Sequence, residues 1–119
     1  MHIRWGRVIV LALALEAVLF AVFLPIQQLM GPRAWIVAVS IGAVVFSYAA
    51  GWLAGRGGIS RALEGFLVGT IETVIYLALN FLGPGGIAAA LGVYGLPLFV
   101  LLNVGKIAAS TAGGATARP

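Results

Sequence analysis

The chain has 119 residues, of which 62% are hydrophobic and 8% charged, with a net charge of +4. A soluble domain carries about 25% charged residues, so this chain lacks the polar surface to stay dissolved, and its length leaves room for one small domain and no separate catalytic module. With no cysteine and one histidine, His2 near the N-terminus, disulfides and thiolate metal sites are excluded and no metal or cofactor is expected.

Four apolar stretches, each close to the roughly 20 residues that cross ~30 Å of hydrocarbon, predict membrane helices. The first covers residues 8–24 and follows Arg4 and Arg7. Its basic start and apolar core look like a signal peptide, but Phe23-Leu24-Pro25 is a poor cleavage region, so the span is expected to be retained. Pro25, Gln27, Gln28 and Gly31-Pro32-Arg33 separate it from a second span at 35–54. Gly55-Arg56-Gly57-Gly58 leads to a third at 62–82, and Gly83-Pro84-Gly85-Gly86 to a fourth at 87–109. Each break joins glycine's free backbone to proline's missing donor or a polar side chain. Pro97 lies inside the fourth span, where it leaves the carbonyl of Val93 without its helical donor; a packed kink is expected. Gly113-Gly114 with Arg118-Pro119 reads as a flexible end. The predicted fold is all-α: one domain, 1–119, forming an integral membrane four-helix bundle.

Charge placement predicts orientation. Arg4, Arg7, Arg56, Arg61, Lys106 and Arg118 fall on one side of such a bundle, and Arg33 alone on the other. The positive-inside rule then puts both termini in the cytoplasm of a bacterial inner membrane. Trp5, Trp35 and Trp52 fall near the predicted interfaces, as an aromatic belt requires. The basic residues form no cluster, which argues against a nucleic-acid partner.

The most informative residues are acidic. Two of the three acidic side chains, Glu16 and Glu72, sit near the middle of predicted spans, where a charge costs roughly 3 to over 10 kcal/mol unless a cation, a proton or a wet cavity offsets it. By helical rise, Glu16 lies about 13 Å from Arg7, and Glu72 about 16 Å from Arg61. On span three, Glu72 shares a face with Gly65, Gly69 and Tyr76. Two glycines four apart admit a close neighbour, and span two offers Ser47, Gly51 and Gly55 at the same spacing as a partner. Span four carries Asn103, Lys106 and Ser110 on one stripe. Lys106, placed about 5 to 12 Å from the cytoplasmic end by helical rise, can snorkel outward or reach inward to a glutamate. Glu72 is therefore expected to be neutral, donating a hydrogen bond, unless Lys106 or an arginine comes within ~4 to 6 Å. Glu64 is expected to form an interfacial ion pair beside Arg61 and Arg56 that is worth little.

Glu16-Ala-Val-Leu-Phe20 echoes Glu72-Thr-Val-Ile-Tyr76, and Gly55-Arg56 echoes Gly105-Lys106. The echo suggests two helical hairpins related by duplication, in one orientation. Glu16, Glu72, Asn103, Lys106 and Tyr76 then have two readings: a buried polar network that fixes helix register, or a proton or ion pathway.

A four-span chain of this size with Ala14-Leu15-Glu16 in its first span is similar in layout to the small multidrug resistance transporters. That family's later aromatic and glycine signatures are absent, and a second glutamate is present. The chain more closely resembles a group of short bacterial four-span membrane proteins. The residues concerned are Arg4-Trp5-Gly6-Arg7, Gly51-Trp52-Leu53-Ala54-Gly55-Arg56, Leu63-Glu64-Gly65-Phe66-Leu67-Val68-Gly69 and Asn103-Val104-Gly105-Lys106. This resemblance implies a fold and a membrane and brings no activity with it. The expected function is a non-enzymatic accessory or scaffold subunit, in a homo-oligomer or larger membrane complex in contact with the lipid bilayer. The rival is a small oligomeric proton-coupled transporter or ion channel that uses the intramembrane glutamates.

Overall fold

The computed structural model describes residues 2–118, apart from the side chain of Pro32. It is an all-helical bundle of α1 (Trp5–Leu29), α2 (Pro32–Gly55), α3 (Arg61–Leu82), α4 (Gly86–Tyr94) and α5 (Leu96–Thr116). Four of these, all but α4, are long and apolar enough to cross a membrane. Their outward faces carry Val10, Leu13, Val37, Ile41, Val45, Val74, Leu101 and Val104, all exposed, an apolar coat consistent with a multi-pass membrane protein.

Three boundaries differ from the sequence expectation, and each difference has a local cause. The first span does not stop at residue 24. α1 runs through Pro25 to Leu29, and just before that proline it is tied to the next helix by Trp35 Nε1, which donates to the carbonyl of Phe23 at 3.0 Å. α2 starts at Pro32, because proline at a helix start removes a donor that has no partner there anyway. The expected fourth span at 87–109 is two helices. Gly95 adopts φ +77°, a left-handed conformation no helix interior accommodates. Pro97 falls in the first turn of α5, so it begins a helix and does not kink one. The fourth long span is accordingly 96–116, and the glycine pair expected in a flexible tail, Gly113 and Gly114, lies buried inside it.

α2 and α3 touch each other, α1 lies against both, and α5 lies against both as well. The glycines build the α5 seams. A side chain on Gly51 would collide with the backbone of Ser110, one on Gly65 with the Ser110 carbonyl, and one on Gly55 with Gly114 at 2.9 Å. A Cβ added to Gly69 would lie 2.9 Å from Cβ of Ser110 and 3.0 Å from Cα of Ile107. From the other side, Gly113 faces the backbone of Tyr48 and Gly114 that of Arg61. The small faces of α2 and α3 were expected to meet each other. They meet α5 instead, since α5 brings its own small residues Ser110, Gly113 and Gly114 to both. Ser110 Oγ seals the α3–α5 seam by donating to the carbonyl of Gly65. Ser47 is fully buried on α2, and its Oγ has no partner.

Candidate functional site

The end of the bundle that carries both termini is closed by arginines. Arg4 donates from Nε to Glu64 Oε2 at 3.0 Å, from Nη2 to Glu64 Oε1 at 3.1 Å, and from Nη2 to the carbonyl of Ala54 at 2.7 Å. Arg7 reaches the carbonyl of Leu53 from Nε at 2.9 Å. Arg61 donates to the carbonyl of Ala117, and the Gly57 amide donates to that of Arg118 at 2.8 Å. Glu64 is 0% exposed. It is therefore no surface pair with Arg61 or Arg56: it is a buried carboxylate held across the bundle by Arg4, a partner 60 residues away in sequence. Above this layer Val8, Leu15, Ala50, Ala54 and Val68 form an apolar plug.

The next polar layer lies one plug deeper. Glu16 and Glu72 are each eleven residues from the arginine-end terminus of their helices, and Lys106 is ten from that of α5. At ~1.5 Å per residue all three sit about 15 to 17 Å in. The shift of the last span from 87–109 to 96–116 is what puts Lys106 at this depth. Its ammonium lies 3.0 Å from Glu72 Oε2 and 3.1 Å from Oε1, with the face of Tyr76 at 4.3 Å. Glu72 and Lys106 are both buried. The cation that would replace a neutral Glu72 is thus present, and the layer contains an ion pair where the sequence pointed to a lone hydrogen-bond donor. Asn103 stands one turn along α5 and does not join the pair. Its Nδ2 donates to the carbonyl of Phe99 in its own helix at 2.8 Å, and its Oδ1 is buried without a partner.

Glu16 completes the layer and differs from both other glutamates. It is 5% exposed, sits within electrostatic reach of Glu72 and Lys106, and its Oε2 has no hydrogen-bond partner. It also lines a cavity of about 300 Å³ that occupies the half of the bundle away from the arginines. α1 supplies Glu16, Leu19, Phe20 and Phe23, α2 supplies Trp35 and Val39, α3 supplies Tyr76 and Asn80, α4 supplies Tyr94, and α5 supplies Lys106. Trp35 and Tyr94 stack at 5.7 Å between ring centroids, Tyr94 and Phe99 at 6.4 Å, and Phe99 and Tyr76 at 6.2 Å. The aromatic series runs from the start of α2 down to Lys106.

The break at Gly95 makes this space. α4 leaves the axis of α5 and walls the cavity with Ala89, Ala90, Val93 and Tyr94. A continuous fourth helix would have no such wall. Sequence reasoning identified Glu16, Glu72, Lys106 and Tyr76, and missed Phe20, Trp35, Asn80 and Tyr94. The available signal was Gly95-Leu96-Pro97, a helix stop followed by a helix start. Among the described residues, no group of three His, Cys, Asp or Glu side chains is placed to hold a metal ion.

Comparison of the chain with protein-family models, curated proteins and solved structures returns no match. The site's chemistry is therefore read from its own geometry: an apolar, aromatic chamber of small-molecule size, closed toward the termini, with one unpaired carboxylate at its floor.

Proposed function

We propose that this protein is a multi-pass protein of the bacterial cytoplasmic membrane, with both termini cytoplasmic, and that it acts as a small non-enzymatic transporter coupled to protons through Glu16. The observation that carries this reading is Glu16, which lines the cavity and whose Oε2 is buried with no hydrogen-bond partner among the described residues. A carboxylate left in apolar surroundings needs a proton or a cation, and a group that must take one of the two from outside can exchange them. Glu72, by contrast, is neutralised by Lys106 and serves as the fixed frame of the layer.

The accessory-subunit reading rests on small-residue faces, on the lack of catalytic groups and on the lack of a soluble domain. The small faces of α2 and α3 are filled by α5 within one copy of the chain, which weakens the first of these grounds and leaves the other two. The test is proton flux in liposomes containing the purified protein. Glu16→Gln, which keeps shape and removes titration, is expected to abolish the flux while the protein assembles normally. Absence of flux of protons, simple ions or lipophilic cations with the intact protein would return the accessory role to first place.

A further inference from the structure

The two glutamate helices carry the same local pattern. Glu72 precedes Tyr76 by four residues on α3, and Glu16 precedes Phe20 by four on α1. That separation puts a carboxylate and an aromatic ring on one helix face, one turn apart. On α3 the pair holds a cation that the chain itself supplies. The Lys106 ammonium has the Glu72 carboxylate at 3.0 Å and the Tyr76 ring at 4.3 Å, an arrangement that combines ionic attraction with the ring's negative face. The ammonium ends an alkyl stem that is buried with it. Lys106 is therefore a worked example of what a Glu-x-x-x-aromatic pair binds in this bundle.

On α1 both members of the pair line the cavity. Glu16 is 5% exposed and its Oε2 lacks a partner. With all three groups ionised, the layer has two carboxylates against one ammonium, and that ammonium contacts both oxygens of Glu72. Glu16 lies within electrostatic reach of both groups, makes no ion-pair contact with that ammonium among the described residues, and keeps an oxygen without a hydrogen-bond partner.

We infer that Glu16 and Phe20 form a second ammonium site, equivalent to the one that Glu72 and Tyr76 provide for Lys106, and that its ligand is a primary ammonium on an apolar body. This rests on the transport reading above and adds the class of solute. The head group is taken as primary from Lys106, whose ammonium the equivalent pair holds; a quaternary ammonium is excluded because it has no N–H to satisfy a buried carboxylate oxygen. The body is apolar because Leu19, Phe23, Val39 and Tyr94 surround the space beyond the head. Its size is that of a one-ring or short-chain amine, since about 300 Å³ stands at the lower limit of small-molecule pockets.

The test is calorimetric binding to the full-length protein in lipid nanodiscs, with three probes that share one body: 2-phenylethylammonium, its N,N,N-trimethyl analogue and neutral 2-phenylethanol. The primary ammonium is expected to bind about tenfold or more tightly than either of the others, in line with a charge-assisted hydrogen bond to a buried group. Glu16→Gln erases that preference, and Phe20→Leu, which leaves the carboxylate in place, reduces it severalfold. Equal binding of amine and alcohol, a quaternary probe that matches the primary one, or a preference that survives Glu16→Gln overturns the inference. The comparison of probes on the unaltered protein stands even if a variant fails to assemble. Proton flux measured on the same preparation separates the two claims. Glu16-dependent flux without amine preference overturns the ammonium site alone. Loss of both overturns the transport reading with it, and amine preference without flux supports the site and removes transport.

Discussion

The two ends of this bundle treat a buried carboxylate in opposite ways. Glu64, at the arginine end, receives two side-chain hydrogen bonds and a backbone one from Arg4. Glu16, in the cavity half, is nearly as buried and keeps an oxygen with no partner. Burial alone therefore does not separate structure from function here. What separates them is whether the fold supplies the counter-charge. Where every acceptor is met by a donor from a distant helix, the group closes the bundle. Where the acceptor faces a chamber, it is left for something else to meet. Glu72 stands between the two cases, with its partner Lys106 supplied from α5 and its surroundings shared with Glu16.

Removing a partner tests this contrast most severely. Lys106→Leu would strand Glu72 as a fully buried, uncompensated carboxylate, and a loss of about 3 to 5 kcal/mol is expected for breaking such a pair, read as a fall in the thermal midpoint in detergent. The paired change Lys106→Leu with Glu72→Leu should recover most of that loss, because an apolar pair of similar volume replaces the ions. Gly65→Leu comes next. Its side chain would enter the backbone of α5 at Ser110, and overpacking of that kind costs about 3 kcal/mol; it should disrupt assembly while leaving the charged layer's chemistry untouched. Arg4→Leu should cost less, about 2 kcal/mol, because its side chain is 29% exposed and water can partly replace it beside Glu64. Glu16→Gln should change stability by under about 1 kcal/mol, since no bond to Oε2 is lost, yet it should remove proton flux. A large stability loss from Glu16→Gln, or a small one from Lys106→Leu, would erase the distinction between the two halves.

Much of this organisation was legible before any coordinates. Four apolar runs gave four long helices, and the break at Arg56-Gly57-Gly58 gave the turn into α3 within one residue of its start. Glu16, Glu72, Tyr76 and Lys106 stood out because ionisable groups are rare in such runs. Two things were not legible. The partner of Glu64 is Arg4, 60 residues away, and no helix-face argument pairs residues on different spans. The position of the last helix was the other. Hydropathy alone runs on from Ile87 to Ala109, so it could not show that Gly95 breaks the helix. Placing that helix nine residues too early put Lys106 nearer an interface than Glu72, so an outward snorkel and an inward reach to a glutamate both stood open. It also hid the cavity, which exists because α4 turns aside. The same error turned Gly113 and Gly114 from a close-packed seam into a tail. Glycine and proline in sequence mark a stop and a start together, and that signal outranks continuity of hydropathy in a chain this apolar.

The central claim is that Glu16, alone among the three glutamates, lines the cavity and has no ion-pair partner among the described residues, and it can be tested on the carboxyl groups directly. A lipid-soluble carbodiimide couples to protonated carboxyl groups that it can approach, and the chain has three acidic side chains to report. After brief treatment of the protein in liposomes, peptide mass spectrometry should find the modification at Glu16, with Glu64 and Glu72 protected by Arg4 and Lys106. Prior loading with 2-phenylethylammonium should slow labelling at Glu16. Modification of Glu64 or Glu72 as fast as Glu16, or a Glu16 that resists the reagent, would contradict the account.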